Sequence, residues 1–277
     1  MDLPREKVRQ MKKANGSLTR IRADVGRSWY MTGALSSFVG LLFIWALLSY
    51  GEYVNSTFLP TPSRVLAVFV QMLQSPNLWS DIGISVYRVT MGFLLAAVIG
   101  IPLGILAGTF KFAEAAIQPL TEFIRYMPAT AFIPLVMVWA GIGEGAKILV
   151  IFIGTFFQMV LMVADNIRLV PEDLLSASYT LGATRFQVIT RVLIPAMMPN
   201  LMDTLRLMIG WAWTYLVVAE LVAANSGLGY SILKAQRFLK TDVIFVGILV
   251  IGILGLLTDR LFAFANKKLF PWAEGGS

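Results

Sequence analysis

Cysteine and histidine are both absent from the sequence. Without them there is no disulfide, no thiolate or imidazole metal ligand, no haem–histidine bond, and no Ser-His-Asp or Cys-His catalysis. Charge is scarce too: 14% of the 277 residues are Asp, Glu, Lys or Arg, against about a quarter in soluble proteins. The acidic residues are scattered, and none pair at the spacing of a metal site or an acid–base couple. No glycine-rich phosphate loop ending in Gly-Lys-Ser/Thr occurs, so the chain has no such means of hydrolysing ATP, and a partner must supply any energy it uses. No basic patch is interleaved with a nucleic-acid-reading motif, so the net charge of +7 does not point to DNA or RNA. That excess fits lysine and arginine flanking membrane spans.

Apolar residues are abundant. They make up 57% of the chain, and the mean hydropathy is +0.73. Several runs reach the roughly 20 helical residues that cross a bilayer core. The expected fold class is therefore all-α: a polytopic membrane protein with six transmembrane helices.

Residues 1–29 form a basic segment containing Arg5, Lys7, Arg9, Lys12, Lys13, Arg20, Arg22 and Arg27, which places this end in the cytoplasm. It is not a secretory signal, because the apolar stretch begins too far in. Disorder and a basic helix on anionic lipid both fit it. The spans are predicted near 32–50, 84–109, 115–140, 148–164, 199–223 and 243–264, with a short amphipathic helix over Val65–Leu73. A membrane domain over 30–272 and a short tail over 273–277 complete the organisation. Arg260, Lys267 and Lys268 put the carboxyl end inside as well.

Within the spans a few polar groups stand out. Arg88 lies one turn into the second span, where it either faces a pore or snorkels to the interface. Gly92, Gly100, Gly104 and Gly108 line one helix face and allow close packing. The third span is interrupted by Pro128 and Pro134, with Arg125 at membrane depth. A charge there is expensive and is expected to face a cavity or partner rather than lipid. The fifth span holds Arg206, Trp211, Trp213 and Glu220. Arg206 and Glu220 are fourteen residues apart, about 21 Å along a helix, and cannot pair with each other. Between 225 and 240, Lys234, Arg237 and Lys240 run against the positive-inside trend. A re-entrant half-helix and an external mouth favouring anions both account for them.

The stretch from Leu174 to Pro195 is neither membrane-length apolar nor an obvious turn. It reads as two short helices, 171–181 and 184–193, hinged at Gly182-Ala183. Pro171 suits a first turn, Glu172 and Asp173 favour the positive end, and Gly182 suits the exit. Thr184 can cap the second helix, and Pro195 closes it or opens the next. Arg168, Arg185 and Arg191 surround it.

This stretch resembles the EAA loop of bacterial ABC-transporter permeases: Glu-Ala-Ala, three residues, Gly, then about nine residues to an apolar-x-Pro. Ser176, Ala177 and Ser178 stand at the Glu-Ala-Ala positions, so Ser176 replaces the glutamate and Ser178 the second alanine. Gly182, Ile194-Pro195 and the Leu-Gly-Ala-Thr-Arg-Phe core carry the match. The Arg125-x-x-Pro128 segment, Trp139 to Lys147, and Leu205 to Leu221 resemble permeases of the nitrate, sulfonate, taurine and bicarbonate importer family.

The resemblance covers roughly 58–272 and implies a type I ABC importer-like permease in a bacterial inner membrane. Two copies of the chain, two ATP-binding subunits docked on cytoplasmic coupling helices, surrounding lipid, and a periplasmic or lipid-anchored solute-binding protein follow from it. ATP and Mg would sit in the partner ATPase; this chain would bind no cofactor or metal and hold no catalytic residue. Coupling falls to Ser176, Ala177, Ser178, Gly182, Ala183 and Arg185. Arg125, Arg206, Glu220, Trp211 and Trp213 are the path candidates, with helix packing the other role for the tryptophans. The solute is expected to be a small anion; a pyrimidine or thiamine precursor is the alternative. A secondary transporter would need no ATPase, a membrane enzyme would be active as the purified chain alone, and an exporter would work without a binding protein.

Overall fold

The computed structural model describes residues 26–272; the basic segment before them and the tail from 273 lie outside the described residues. Every regular element among the described residues is helical. They divide into two compact units, the first ending at Arg64 and the second beginning at Val65.

In the first unit, helix α1 (Arg27–Tyr50) starts before the predicted span and ends at the predicted residue. Leu35, Phe38, Leu41 and Phe43 are exposed along its length, as a span facing lipid or another chain requires. Its far end is tied to the following turn: Trp45 Nε1 donates to the Pro60 carbonyl at 3.0 Å, and Tyr50 OH donates to Ser63 Oγ at 2.7 Å. Helix α2 (Pro62–Leu73) starts three residues before the predicted Val65, with proline in its first turn.

The second unit is a bundle. Helix α3 (Pro76–Thr109) begins eight residues before the predicted Ile84. Ser75 caps it by accepting the Asn77 N–H at 3.3 Å, and Pro76 suits the first turn. Helix α4 (Lys111–Arg125), a 3₁₀ turn (Ala129–Phe132) and α5 (Ile133–Ala140) form the interrupted third span. The two halves bend by 91° around Pro128, whose ring removes an N–H and pushes Met127 out of the helical region. Helix α6 (Glu144–Arg168) extends the predicted fourth span at both ends and takes in Lys147.

Helices α7 (Glu172–Thr180) and α8 (Arg185–Val188) form the loop, followed by a π-helical turn (Ile189–Leu193), α9 (Ile194–Ala223), α10 (Leu228–Arg237) and α11 (Thr241–Leu269). Five of these helices, α1 included, are long and apolar enough to cross a membrane, or six with the bent pair counted as one span.

Helices α3 and α6 run parallel in close contact. A Cβ at Gly92 would come within 2.7 Å of Ile151, one at Gly104 within 2.6 Å of Val163, and one at Gly108 within 2.6 Å of Ile167. The glycine face is therefore what lets these backbones meet; Gly100, with 3.5 Å to Phe156, has ordinary room. Val89, Phe93, Ile151, Met159, Met208 and Leu216 fill the core between α3, α6 and α9. Contacts sort the bundle into two ends. The starts of α3 and α6 meet the end of α9 and the start of α10. At the opposite end lie the start of α4 and the end of α6, joined by Arg168, Glu114 and Gln118. Asn166 with Thr204, and Asn266 with Asp203, bring α9 and α11 to that end.

Candidate functional site

Three polar regions are built on this frame. The first is a cavity of about 200 Å³ at the break between α4 and the 3₁₀ turn, lined by Arg125, Gln158, Phe157, Trp211 and Tyr215 among others. Pro128 breaks the helix one turn after Arg125, which turns the guanidinium toward α6. There Arg125 Nη1 donates to Gln158 Oε1 at 3.4 Å and Nη2 to Tyr126 OH at 3.1 Å, with the Tyr126 ring 4.8 Å below. All of these partners are neutral. Trp211 and Tyr215, one turn apart on α9, stack with ring centres 6.2 Å apart.

The second region is a buried ionic cluster at the α3, α6, α9 and α10 end. Arg88 is fully buried. Its Nε and Nη2 donate to the two carboxylate oxygens of Glu144 at 2.6 and 2.8 Å. Its Nη1 donates to Glu220 Oε1 at 2.6 Å and to the Ser226 carbonyl at 2.7 Å. Glu220 also accepts Ser85 Oγ at 2.8 Å and the Gly229 N–H at 2.7 Å. Lys147 adds an ion pair to Glu144 at 2.7 Å, and Asp81 accepts the Gly227 N–H at 2.8 Å. Gly227 has φ +111, and a Cβ there would fall 2.5 Å from Glu220 Cδ and 2.6 Å from Arg88 Nη1. A buried charge pair is tolerated only with such full satisfaction.

The third region is the loop. Helix α7 ends in a Schellman motif: the Gly182 N–H bonds the Tyr179 carbonyl at 2.9 Å and the Ala183 N–H bonds that of Ser178 at 3.1 Å. Gly182 sits at φ +82, a left-handed backbone that costs other residues about 1–2 kcal/mol. Thr184 Oγ1 accepts the Gln187 N–H at 3.4 Å while Gln187 Oε1 accepts the Thr184 N–H at 2.9 Å, a reciprocal capping box. Leu181 and Phe186 flank the bend at 89% and 75% exposure, which marks the tip as a surface in want of a cover.

Comparison with known proteins decides what these regions belong to. Residues 100–271 match the family described as "Binding-protein-dependent transport system inner membrane component". The chain belongs to this family. It is 35% identical over 96% of both chains to a Bacillus subtilis protein named as an aliphatic sulfonates transport permease. It is 32% identical to the taurine transport system permease protein of Escherichia coli, covering 87% of this chain and 90% of that one. It is 33% identical to the nitrate import permease protein of a Synechocystis strain, covering 83% and 86%. Its fold matches a chain of the MetNI methionine ABC transporter solved in inward-facing conformations, with TM-score 0.58 and 20% identity over 69% of this chain and 98% of that one.

Of the five path candidates in this permease, the cavity takes Arg125 and Trp211. Trp213 is buried and donates its Nε1 to Thr258 Oγ1 at 3.1 Å, so it packs α9 against α11. Arg206 forms a forked pair with Asp259 of α11 at 2.5 and 2.8 Å. Glu220 is enclosed and saturated by Arg88, Ser85 and Gly229 rather than facing a path. Arg88 neither snorkels nor lines a pore, since its partners enclose it.

On the loop, Ser176, Ala177, Gly182 and Arg185 are exposed, and Ser178 and Ala183 half-buried. The Ser178 hydroxyl is spent on the Leu174 carbonyl at 2.7 Å. The second loop helix does not stop at Leu193: α8, the π turn and α9 are one helix from Arg185 to Leu221. Pro195 cannot donate to the Arg191 carbonyl, and the widened turn, with the Ile194 N–H on the Ile189 carbonyl, absorbs that loss. Sequence reasoning missed Gln158, Tyr215, Gly154 and Glu144. Gln158 alone carried a signal, as a lone amide in an apolar span.

Proposed function

We propose that this chain is the translocating subunit of an ATP-driven importer for a small anion, with the path running through the cavity at Arg125 and Trp211. The observation that carries the reading is Arg125 itself: a guanidinium beside a cavity in a broken span, with neutral partners. A cation of this kind attracts an anion and repels a cationic solute. The sulfonate, taurine and nitrate names of the relatives agree with that chemistry. A neutral pyrimidine or thiamine precursor would gain nothing from the charge.

Two copies of the chain would enclose the path, and a solute-binding protein, periplasmic or lipid-anchored, would deliver to the end carrying α10. The Gly182 bend, with Ser176, Ala177, Ser178, Ala183 and Arg185 around it, would dock into a partner that binds ATP and Mg. Both termini would then be cytoplasmic, on the side of the loop. The exposed Leu181 and Phe186 support docking, since a tip so apolar is costly to leave in water.

The test is ATP hydrolysis by the co-purified complex in lipid, wild type against Gly182→Trp. A loss of about 1.4 kcal/mol of docking energy weakens association about tenfold, and a tryptophan at this exposed tip both strains the left-handed bend and puts an indole where a partner would have to fit. Loss of the ATPase subunits or of stimulated hydrolysis is expected. Retention of both would remove the loop from the coupling and favour a transporter without an ATPase.

A further inference from the structure

One wall of the Arg125 cavity is shaped by a residue with no side chain, Gly154. A Cβ built on Gly154 of α6 would fall 2.5 Å from Tyr215 Cγ and 2.7 Å from its Cε2. The Tyr215 ring therefore occupies the space that a side chain at 154 would take, and Trp211 stacks beside it. Ile124, Met127, Ile153 and Phe157 add an apolar lining. The lining thus combines a guanidinium and an amide with an apolar compartment of aromatic and aliphatic side chains. Its volume of about 200 Å³ is several times the ~30 Å³ that one water occupies in the liquid. A bare oxyanion of a few atoms would leave the apolar compartment unfilled. Binding sites of this make-up fix a ligand by a few polar groups and take its bulk on apolar walls.

We propose that Tyr215, seated against Gly154, is a specificity-determining residue for an anion held at Arg125. The ligand class is a small organic anion, its charged oxygens at Arg125 and its carbon body against Trp211 and Tyr215. The length of that body is set by how far the Tyr215 ring is recessed. The inference rests on the anion-importer reading and assigns the residue that selects within it.

The chain's lack of cysteine permits a direct test. Gln158→Cys is placed in the full chain, with its co-purified subunits, in proteoliposomes. It is labelled with two methanethiosulfonates of equal reach, one ending in ethylsulfonate and the other in ethyltrimethylammonium, with rates normalised to a free thiol in solution. A single unpaired charge in a partly wet site gives the anionic reagent a preference of about tenfold. Adding Arg125→Gln brings the ratio near one. Adding Gly154→Ala instead leaves the short sulfonate reagent reactive and slows a longer alkylsulfonate reagent several-fold, because the displaced ring fills the compartment. Adding Tyr215→Ala to that pair restores the longer reagent.

A ratio near one with Arg125 present, no labelling by either reagent, or insensitivity of the longer reagent to Gly154→Ala would each overturn the assignment. ATP hydrolysis in the same vesicles reports separately on the importer. Labelling preference without a loop-dependent ATPase sinks the transport reading and spares the cavity, and the reverse sinks the cavity alone.

Discussion

Arg88 lies inside the long apolar helix α3 and Arg125 closes α4 at the break of the third span, and their surroundings are opposites. Arg88 is enclosed by two carboxylates and a backbone carbonyl, while Arg125 is exposed and touches neutral oxygens. Among the described residues no carboxylate lies in ion-pair range of Arg125, whereas Arg88 and Arg168 each have two and Arg206 has one. The difference separates a charge spent on holding helices together from one kept available. An intramembrane arginine is costly in either setting. The cost is met by carboxylates within the fold at Arg88, whereas Arg125 has only neutral partners.

The largest effect that would test this contrast is Arg88→Ala. Removing one member of a buried pair strands the other and costs about 3–5 kcal/mol, so folded protein in detergent should fall steeply. Arg88→Met with Glu220→Leu should recover part of the loss, because Glu144 retains Lys147 while the Gly229 N–H loses its acceptor. Gly227→Ala comes next: it meets both members of the pair at a backbone conformation that L-residues avoid, at a cost of about 1–3 kcal/mol, read as a lowered melting temperature. Arg125→Gln should be the mildest, within about 0.5 kcal/mol of wild type in stability, as for an exposed substitution, while anion uptake is lost. If Arg125→Gln melts the protein as Arg88→Ala does, the two arginines are alike and the contrast fails.

Much of this architecture was legible from the sequence, for reasons that differ by region. Hydropathy marks the spans because the bilayer demands about 20 apolar residues. Pro128 marks the break because its ring cannot be accommodated mid-helix. Gly182 and Thr184 mark the loop bend through local backbone chemistry, and the glycines of α3 mark the face that meets α6. What escaped was long-range. Glu220 could be given no definite partner because Arg88 lies 132 residues away, and nothing periodic links them. Helix starts were set too late at α3 and α6, where Asp81, Glu144 and Lys147 look like ends by charge, but Glu144 pairs with Arg88 and Lys147, and Asp81 accepts from Gly227 and Ser231. The Arg125 cavity needed both its charge, which the sequence displays, and Gly154 and Tyr215, whose meeting only the packing of α6 on α9 brings about.

The uninterrupted helix from Arg185 to Leu221 spans 37 residues, about 55 Å at 1.5 Å per residue. One tip is the loop bend and the other carries Glu220, with Trp211 and Tyr215 on the shaft between them. Such a rod conveys tilt by simple leverage: about 5° of rotation at the loop end sweeps the far tip through about 5 Å over that length. The π turn and Pro195 lie near the loop end of the rod, so a tilt applied at the loop reaches Trp211 and Tyr215 only through a turn wound more loosely than the rest.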